Sequence, residues 1–189
     1  MMNPVSKKRR RLLPLAALLA ACASAPGRSS PEAAPASRAH CPDPGQAAEA
    51  RSKYELAQAV LTQCSDELCR KSVEGNADVG RAMGLLEQAA AAGNLDAQAL
   101  YGRELFQFVW MTDVPEPHAE DRYVDALTNL RLAARRGSAA AADVVPGLAT
   151  LRVAADGSVQ GRLHPSLSDV PVRWLVRVIQ DADRLLICY

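Results

Sequence analysis

Two stretches of this chain match at an offset of 44 residues, and that repetition constrains the fold more than any other feature. Ala82, Leu86, Ala89, Ala90, Gly93 and Ala97 correspond to Ala126, Leu130, Ala133, Ala134, Gly137 and Ala141. The spacing lies in the range of helical repeat arrays, in which each unit is a helix pair that buries its apolar face only against a neighbour. Small Ala side chains let paired helices approach closely, and Gly adopts the positive φ that turns the chain between them. The Leu and Gly matches carry the most weight, because Ala is abundant throughout.

The rest of the chain beyond residue 46 fits helices too, since apolar residues recur every three or four positions. Ala47, Ala50, Tyr54, Ala57, Leu61 and Cys64 line one face of a first helix. A second is expected over 77–92, on Met83, Leu86 and Ala90, stopped by Gly93-Asn94. A third runs from Leu95 to Met111, and Pro115 and Pro117 mark the loop after it. The fourth, over 120–136, carries Tyr123, Leu127, Leu130 and Ala134, with Arg135 and Arg136 where the helix dipole favours cations. Residues 139–154 read as a fifth helix, broken or kinked at Pro146. Trp174, Leu175, Val178, Ile179, Ala182, Leu185 and Leu186 form a last helical stripe, started by Asp169 and Pro171. A small hairpin near 151–163, turning at Asp156-Gly157, is the alternative left open before it. The expected fold class is therefore all-α: a short α/α superhelical repeat array with a C-terminal capping helix.

The N-terminal residues have another purpose. Lys7, Lys8, Arg9, Arg10 and Arg11 precede an apolar run over 12–21, the layout of a secretory signal. A bilayer-spanning helix needs about 20 apolar residues, so this run is too short to serve as a permanent anchor. Leu19-Ala20-Ala21-Cys22 resembles the lipobox of bacterial lipoproteins. The resemblance implies cleavage before Cys22, acylation of its sulfur and new amino group, and two or three chains holding the protein stably on a membrane. Ala23, where such proteins carry Asp for inner-membrane retention, implies export to the outer membrane, with the domain facing the periplasm. The organisation expected is a signal over 1–21, a lipidated Cys and Ala/Pro/Ser tether over 22–45, and a helical domain over 46–189. The tether has Pro26, Pro31, Pro35, Pro42 and Pro44 and hardly any large apolar side chain, too little burial to offset its chain entropy.

Processing changes the charge. The 22 Lys and Arg fall to 17 against 21 Asp and Glu, turning a net +1 into −4 and disfavouring nucleic acid as a partner. Beyond Cys22 stand Cys41, Cys64, Cys69 and Cys188, an even number that in an oxidising compartment reads as two disulfides. Of three connectivities, Cys64–Cys69 with Cys41–Cys188 is preferred: the first pair is close beside a helix end, and the second then joins the two ends of the domain. Their spacing is not that of a zinc site, and no metal or other cofactor is expected.

Nor does a catalytic pattern stand out. The chain lacks a Gly-x-Ser-x-Gly elbow, a phosphate-binding Gly loop and a His-Glu-x-x-His helix. His40, His118 and His164 sit in loop-like surroundings, Glu116 and Glu120 read as a charged rim, and Asp181 and Asp183 with Arg177 and Arg184 as a solvated helix face. No enzyme activity or small-molecule substrate is indicated. One cluster stands apart: of eight aromatic residues, Tyr101, Phe106, Phe108 and Trp110 fall within ten positions. Tyr101, Leu105 and Phe108 form a core stripe. Phe106, Val109 and Trp110, on another side, are the candidate partner-binding residues.

Ala82, Leu85, Leu86, Ala89-Ala90, Gly93, Ala97-Gln98 and Gly102 fall where the Sel-one-like repeats, short relatives of the tetratricopeptide repeats, have their Ala, aromatic or Leu pair, Ala-Ala, Gly, Ala-Gln and Gly. The chain resembles that family over about 77–150. The second copy departs from it at Ala142 and Pro146, and residues 112–119 replace the Gly-rich turn between copies. The resemblance implies a superhelical scaffold that binds another protein, here an envelope protein. The alternative is a small inhibitor or immunity-type lipoprotein acting on an envelope enzyme.

Overall fold

The computed structural model describes residues 41–111 and 118–189, with the backbone alone for Lys71, Val73 and residues 108–111. The expected signal, Cys22 and most of the tether lie outside these residues. The described residues form an all-α domain with seven helices and one two-stranded hairpin.

Helix α1 (Ala47–Gln63) buries Ala50, Ala57 and Leu61 against α3 and ends at Cys64. A five-residue helix comes next, α2 (Glu67–Lys71), capped by the Asp66 carboxylate, which accepts from Cys69 N–H at 2.8 Å. Ser72 then starts α3 (Val73–Ala91), its hydroxyl accepting from Gly75 N–H at 3.0 Å. Periodicity alone places this start four residues later, because α2 is too short to show a period and the Ser72 cap lies just before a polar stretch.

The stops of α3 and of α5 (His118–Arg135) are the same structure written twice. Gly93 has φ +85° and Gly137 φ +97°. Asn94 N–H donates to Ala89 O at 3.0 Å, and Ser138 N–H to Ala133 O at 2.9 Å, which satisfies carbonyls that the helix end leaves open. Asn94 and Ser138 then cap the next helices, accepting from Ala97 N–H at 2.8 Å and Ala141 N–H at 3.3 Å. Each pair of equivalent residues is 44 apart, so the sequence repeat corresponds to a repeated helix stop and restart.

After the stop the copies diverge. Helix α4 (Leu95–Met111) runs for 17 residues and packs along α5, where a Cβ on Gly102 would lie 2.8 Å from Leu130 Cγ and 2.9 Å from Ala126 O. Helix α6 (Ala139–Val144) has only six residues. The fifth helix expected over 139–154 is therefore corrected: it does not resume after Pro146. Proline lacks the N–H to continue the ladder and keeps Val145 out of helical backbone, at φ −134° and ψ 83°, and Gly147 then turns left-handed at φ +86°. A single 3₁₀ turn, Leu148–Thr150, leads into β1 (Arg152–Val153) and β2 (Val159–Gln160), antiparallel, with Arg152 opposite Gln160 and Val153 opposite Val159. The hairpin left open in the sequence is thus present, turning through Asp156-Gly157.

Helix α7 (Val172–Leu186) lays Leu175, Val178, Ile179 and Ala182 against α5. The centre of the core is Leu86, Leu127, Leu130, Leu151, Leu167 and Val178, each almost fully buried and each contributing about 1.5–3 kcal/mol. Both expected disulfides are formed, Cys64–Cys69 and Cys41–Cys188. The second ties residues 41–45 to the domain, where Asp43 caps a 3₁₀ turn over Pro44–Gln46. Composition gives these residues to the tether; their place is in the fold.

Candidate functional site

Helices α3 and α5 stand on either side of α4 and leave a groove of about 890 Å³. The α3 wall is made of Val79 and Met83 beside Gly80 and Gly84, an i,i+4 pair on one face of the helix. A Cβ on either glycine would meet nothing within 4 Å, so this wall is bare backbone open to the groove. Glycine in a helix interior costs about 1 kcal/mol relative to Ala, and no packing contact at Gly80 or Gly84 offsets it. Leu105 and Tyr101 come from α4.

The α5 wall is charged. Asp125 accepts from the Tyr101 hydroxyl at 2.9 Å and from Asn129 Nδ2 at 3.0 Å. Burial raises its pKa above the ordinary carboxylate value and the nearby Glu87 raises it further, while the Tyr101 and Asn129 hydrogen bonds pull it down. Burial also raises the Tyr101 phenol, with the Asp125 charge adding to the effect. Neither Glu87 nor Asp125 has an ion-pair partner among the described residues.

The other two acids of the groove are paired. Asp121 accepts from Arg177 Nη1 on α7 at 2.8 Å. Glu104, its side chain 9 % exposed, accepts from Arg70 Nη2 at 3.2 Å and from Arg103 Nη2 at 3.4 Å. Arg70 Nε in turn donates to the Cys64 carbonyl at 3.2 Å, so the turn closed by Cys64–Cys69 aims Arg70 at Glu104. On the far side of Glu104 lies a smaller cleft of about 490 Å³ between α1 and α4, with Tyr54, Gln58 and Arg103 in its wall.

The aromatic helix requires a correction. Phe106 is buried, its ring 5.7 Å from Tyr123, which stacks at 5.8 Å on Trp174 of α7. Phe106 is therefore packed into the core against Tyr123 of α5, not set out on the helix surface as the candidate partner-binding residue. The side chains of Val109, Trp110 and Phe108 lie outside the described residues. Tyr101 and Leu105 are buried as expected, and they also line the groove. Sequence reasoning misses the groove itself; its one signal is the Gly80 and Gly84 pair inside a helix.

Among the described residues no cluster of three or more His, Cys, Asp or Glu is arranged to hold a metal ion, and no helix is long and apolar enough to cross a membrane. His164 serves its own turn: its Nδ1 lies 2.7 Å from Ser166 Oγ and accepts from Ser166 N–H at 3.3 Å. Glu120 faces Arg177 and Arg173 at 3.7 and 3.8 Å in a charged rim. No family model matches the chain, and no curated protein or solved structure is found similar to it.

Proposed function

We propose that this chain is a lipoprotein of the bacterial outer membrane, anchored through Cys22, whose periplasmic domain is a helical-repeat scaffold that binds another envelope protein and catalyses no reaction. The open groove across α3, α4 and α5 carries the reading, since it offers apolar surface and bare helix backbone to a partner. The recurring helix stop at Gly93 and Gly137 supports a Sel-one-like origin for the scaffold. Helix α7 takes the place of a further repeat as the capping element. Two disulfides suit an oxidising compartment, and the Leu19-Ala20-Ala21-Cys22 block supports the anchor.

A photo-crosslinking residue at Gly84 in the intact envelope tests the scaffold reading. One discrete protein adduct is expected, absent when the crosslinker is at Arg152 on the hairpin. No adduct from the groove, or equal labelling from both positions, would overturn the reading. Mass spectrometry of the mature N-terminus tests the anchor: an acylated Cys22 is expected, and an unmodified N-terminus beyond it would refute this part. If the captured protein is a cell-wall hydrolase that becomes more active when this gene is deleted, the scaffold reading yields to the inhibitor alternative.

A further inference from the structure

We infer that the groove takes an Arg or Lys side chain of the partner protein, its cation seated between Glu87 and Asp125 beside the Tyr101 hydroxyl and its apolar neighbours lying on Val79, Met83 and Leu105. The inference rests on the scaffold reading and specifies what the scaffold recognises.

Charge complementarity selects this occupant. Of the four carboxylates in the groove, Glu104 and Asp121 already hold arginines. Glu87 and Asp125 have no ion-pair partner among the described residues; burial first, and then the Glu87 charge, raise the Asp125 carboxyl. A carboxylate in half-buried surroundings with a like charge nearby is stabilised by an incoming cation more than an exposed one is, because there is less water to screen it. The Asp125 carboxylate is also held in place: Tyr101 fixes one oxygen and Asn129 the other, so little conformational freedom is lost when a donor arrives. The rest of the groove suits the stem of such a side chain and the residues flanking it. Val79, Met83 and Leu105 offer apolar contact, methionine adapts to irregular shapes, and the missing Cβ atoms at Gly80 and Gly84 let a partner backbone come close to α3. The groove is lined by four carboxylates against two arginines, Arg70 and Arg122, so a carboxylate-bearing or phosphorylated segment would still meet a net negative lining.

The test uses the full-length mature protein in a neutral detergent, probed with an arrayed library of randomised peptides of about 15 residues, a length that spans a groove of this size as a helix. Selected peptides are expected to carry an Arg or Lys flanked by apolar residues, with affinity falling as salt is added. Glu87→Gln, an exposed and structurally mild change, should weaken the best peptide at least several-fold, and Glu87→Gln with Asp125→Asn tenfold or more. Gly84→Leu fills the open wall without touching the core and should abolish binding while leaving the melting temperature equal or higher, which keeps the inference falsifiable if Asp125→Asn folds poorly. Selection of acidic or uncharged peptides, no selection at all, or binding indifferent to these variants would overturn it. If Gly84 crosslinks a partner in the envelope while the library returns no cationic preference, the inference fails and the scaffold reading stands. If Gly84 captures nothing there, the scaffold reading itself fails.

Discussion

The guanidinium of Arg136 lies 3.6 Å from the centre of the Tyr189 ring, and from that position it donates to the Gly93 carbonyl at 3.0 Å and to Gln98 Oε1 at 2.8 Å. One side chain at the second helix stop thereby clamps the first stop and the last residue together. Gln98, fully buried, completes the network through Nε2, which donates to Ala90 O at 3.1 Å and to the Tyr189 hydroxyl at 3.4 Å. Arg136→Ala removes two charge-assisted hydrogen bonds and leaves a buried amide oxygen unpaired, so a loss of about 2–3 kcal/mol is expected. Tyr189→Ala removes the stacking and one long hydrogen bond, about 1 kcal/mol. Urea denaturation of both single variants and the double variant measures this. A double-variant loss smaller than the sum of the two is the signature of the clamp.

The two disulfides should differ in worth. Cys41–Cys188 closes a loop with a sequence separation of 147, and Cys64–Cys69 one of 5. Chain entropy assigns them about 5 and about 2 kcal/mol respectively. Cys41→Ala with Cys188→Ala should therefore lower the denaturation midpoint more than Cys64→Ala with Cys69→Ala. The second pair has a local effect as well, because the Cys64 carbonyl holds Arg70 and Arg70 holds Glu104. Proton exchange at the amides of α2 should rise in that variant and leave α7 unchanged.

Much of this arrangement is legible in the sequence, and the rest is hidden for identifiable reasons. Gly93 and Gly137 can be read as stops because only glycine takes a left-handed backbone cheaply, and Cys64 and Cys69 as a pair because so few residues separate them. Pro146 can be read as a break and Asp156-Gly157 as a hairpin turn, yet the path of the chain beyond a break depends on contacts far away in sequence, so the 3₁₀ turn is not foreseeable and the hairpin is only an alternative. Phe106 shows the same limit. Helical spacing places it on a different side of α4 from Tyr101, but only the way α5 packs along α4, bringing Tyr123 against it, decides that this side is buried. The groove arises from α3 and α5 being held apart by α4, a relation between three helices that no one periodicity encodes.

Alkaline pH should unfold the domain through its tyrosines. Burial pushes the Tyr123 phenol up to about 12, and Tyr101 is raised as well, by burial first and by Asp125 second. An unfolded tyrosine ionises near 10. Above that pH the unfolded chain releases protons that the folded chain keeps, so stability is fully present below about 10 and falls as pH rises toward 12. In a pH titration followed by phenolate absorbance and helical circular dichroism, the late phenolate signal should appear together with the loss of helix. Phenolates of Tyr101 and Tyr123 forming in a fully helical protein would contradict their burial. Asp125, also raised, gives a weaker effect of the same sign: stability contributed by its neutral form is present below the ordinary Asp value of about 4 and declines as pH rises through the folded value, and Asp125→Asn should remove that slope.

Arg131 provides the sharpest separation of charge from shape. It sits on α5 among the core leucines, 1 % exposed, with Nη1 donating to the Leu148 carbonyl at 2.5 Å and Nη2 to Asp183 at 3.2 Å. Arg135 also pairs with Asp183, and burial holds the Arg131 pKa below its ordinary value despite that carboxylate. The guanidinium is thus shared between the 3₁₀ turn and α7, at a large desolvation cost. Arg131→Ala leaves a cavity and frees the Leu148 carbonyl, so a loss of about 3–5 kcal/mol is expected. Arg131→Met keeps most of the volume and removes the desolvation penalty, and on physical grounds should lie within about 1 kcal/mol of the parent or be more stable. Asp183→Asn strands the buried cation but at a half-exposed partner, and a loss of about 2 kcal/mol is expected. Urea denaturation ranks the three. If Arg131→Met instead falls as far as Arg131→Ala, the hydrogen bond to Leu148 and the ion pair to Asp183, and not the packing of the side chain, hold the hairpin and α7 on α5.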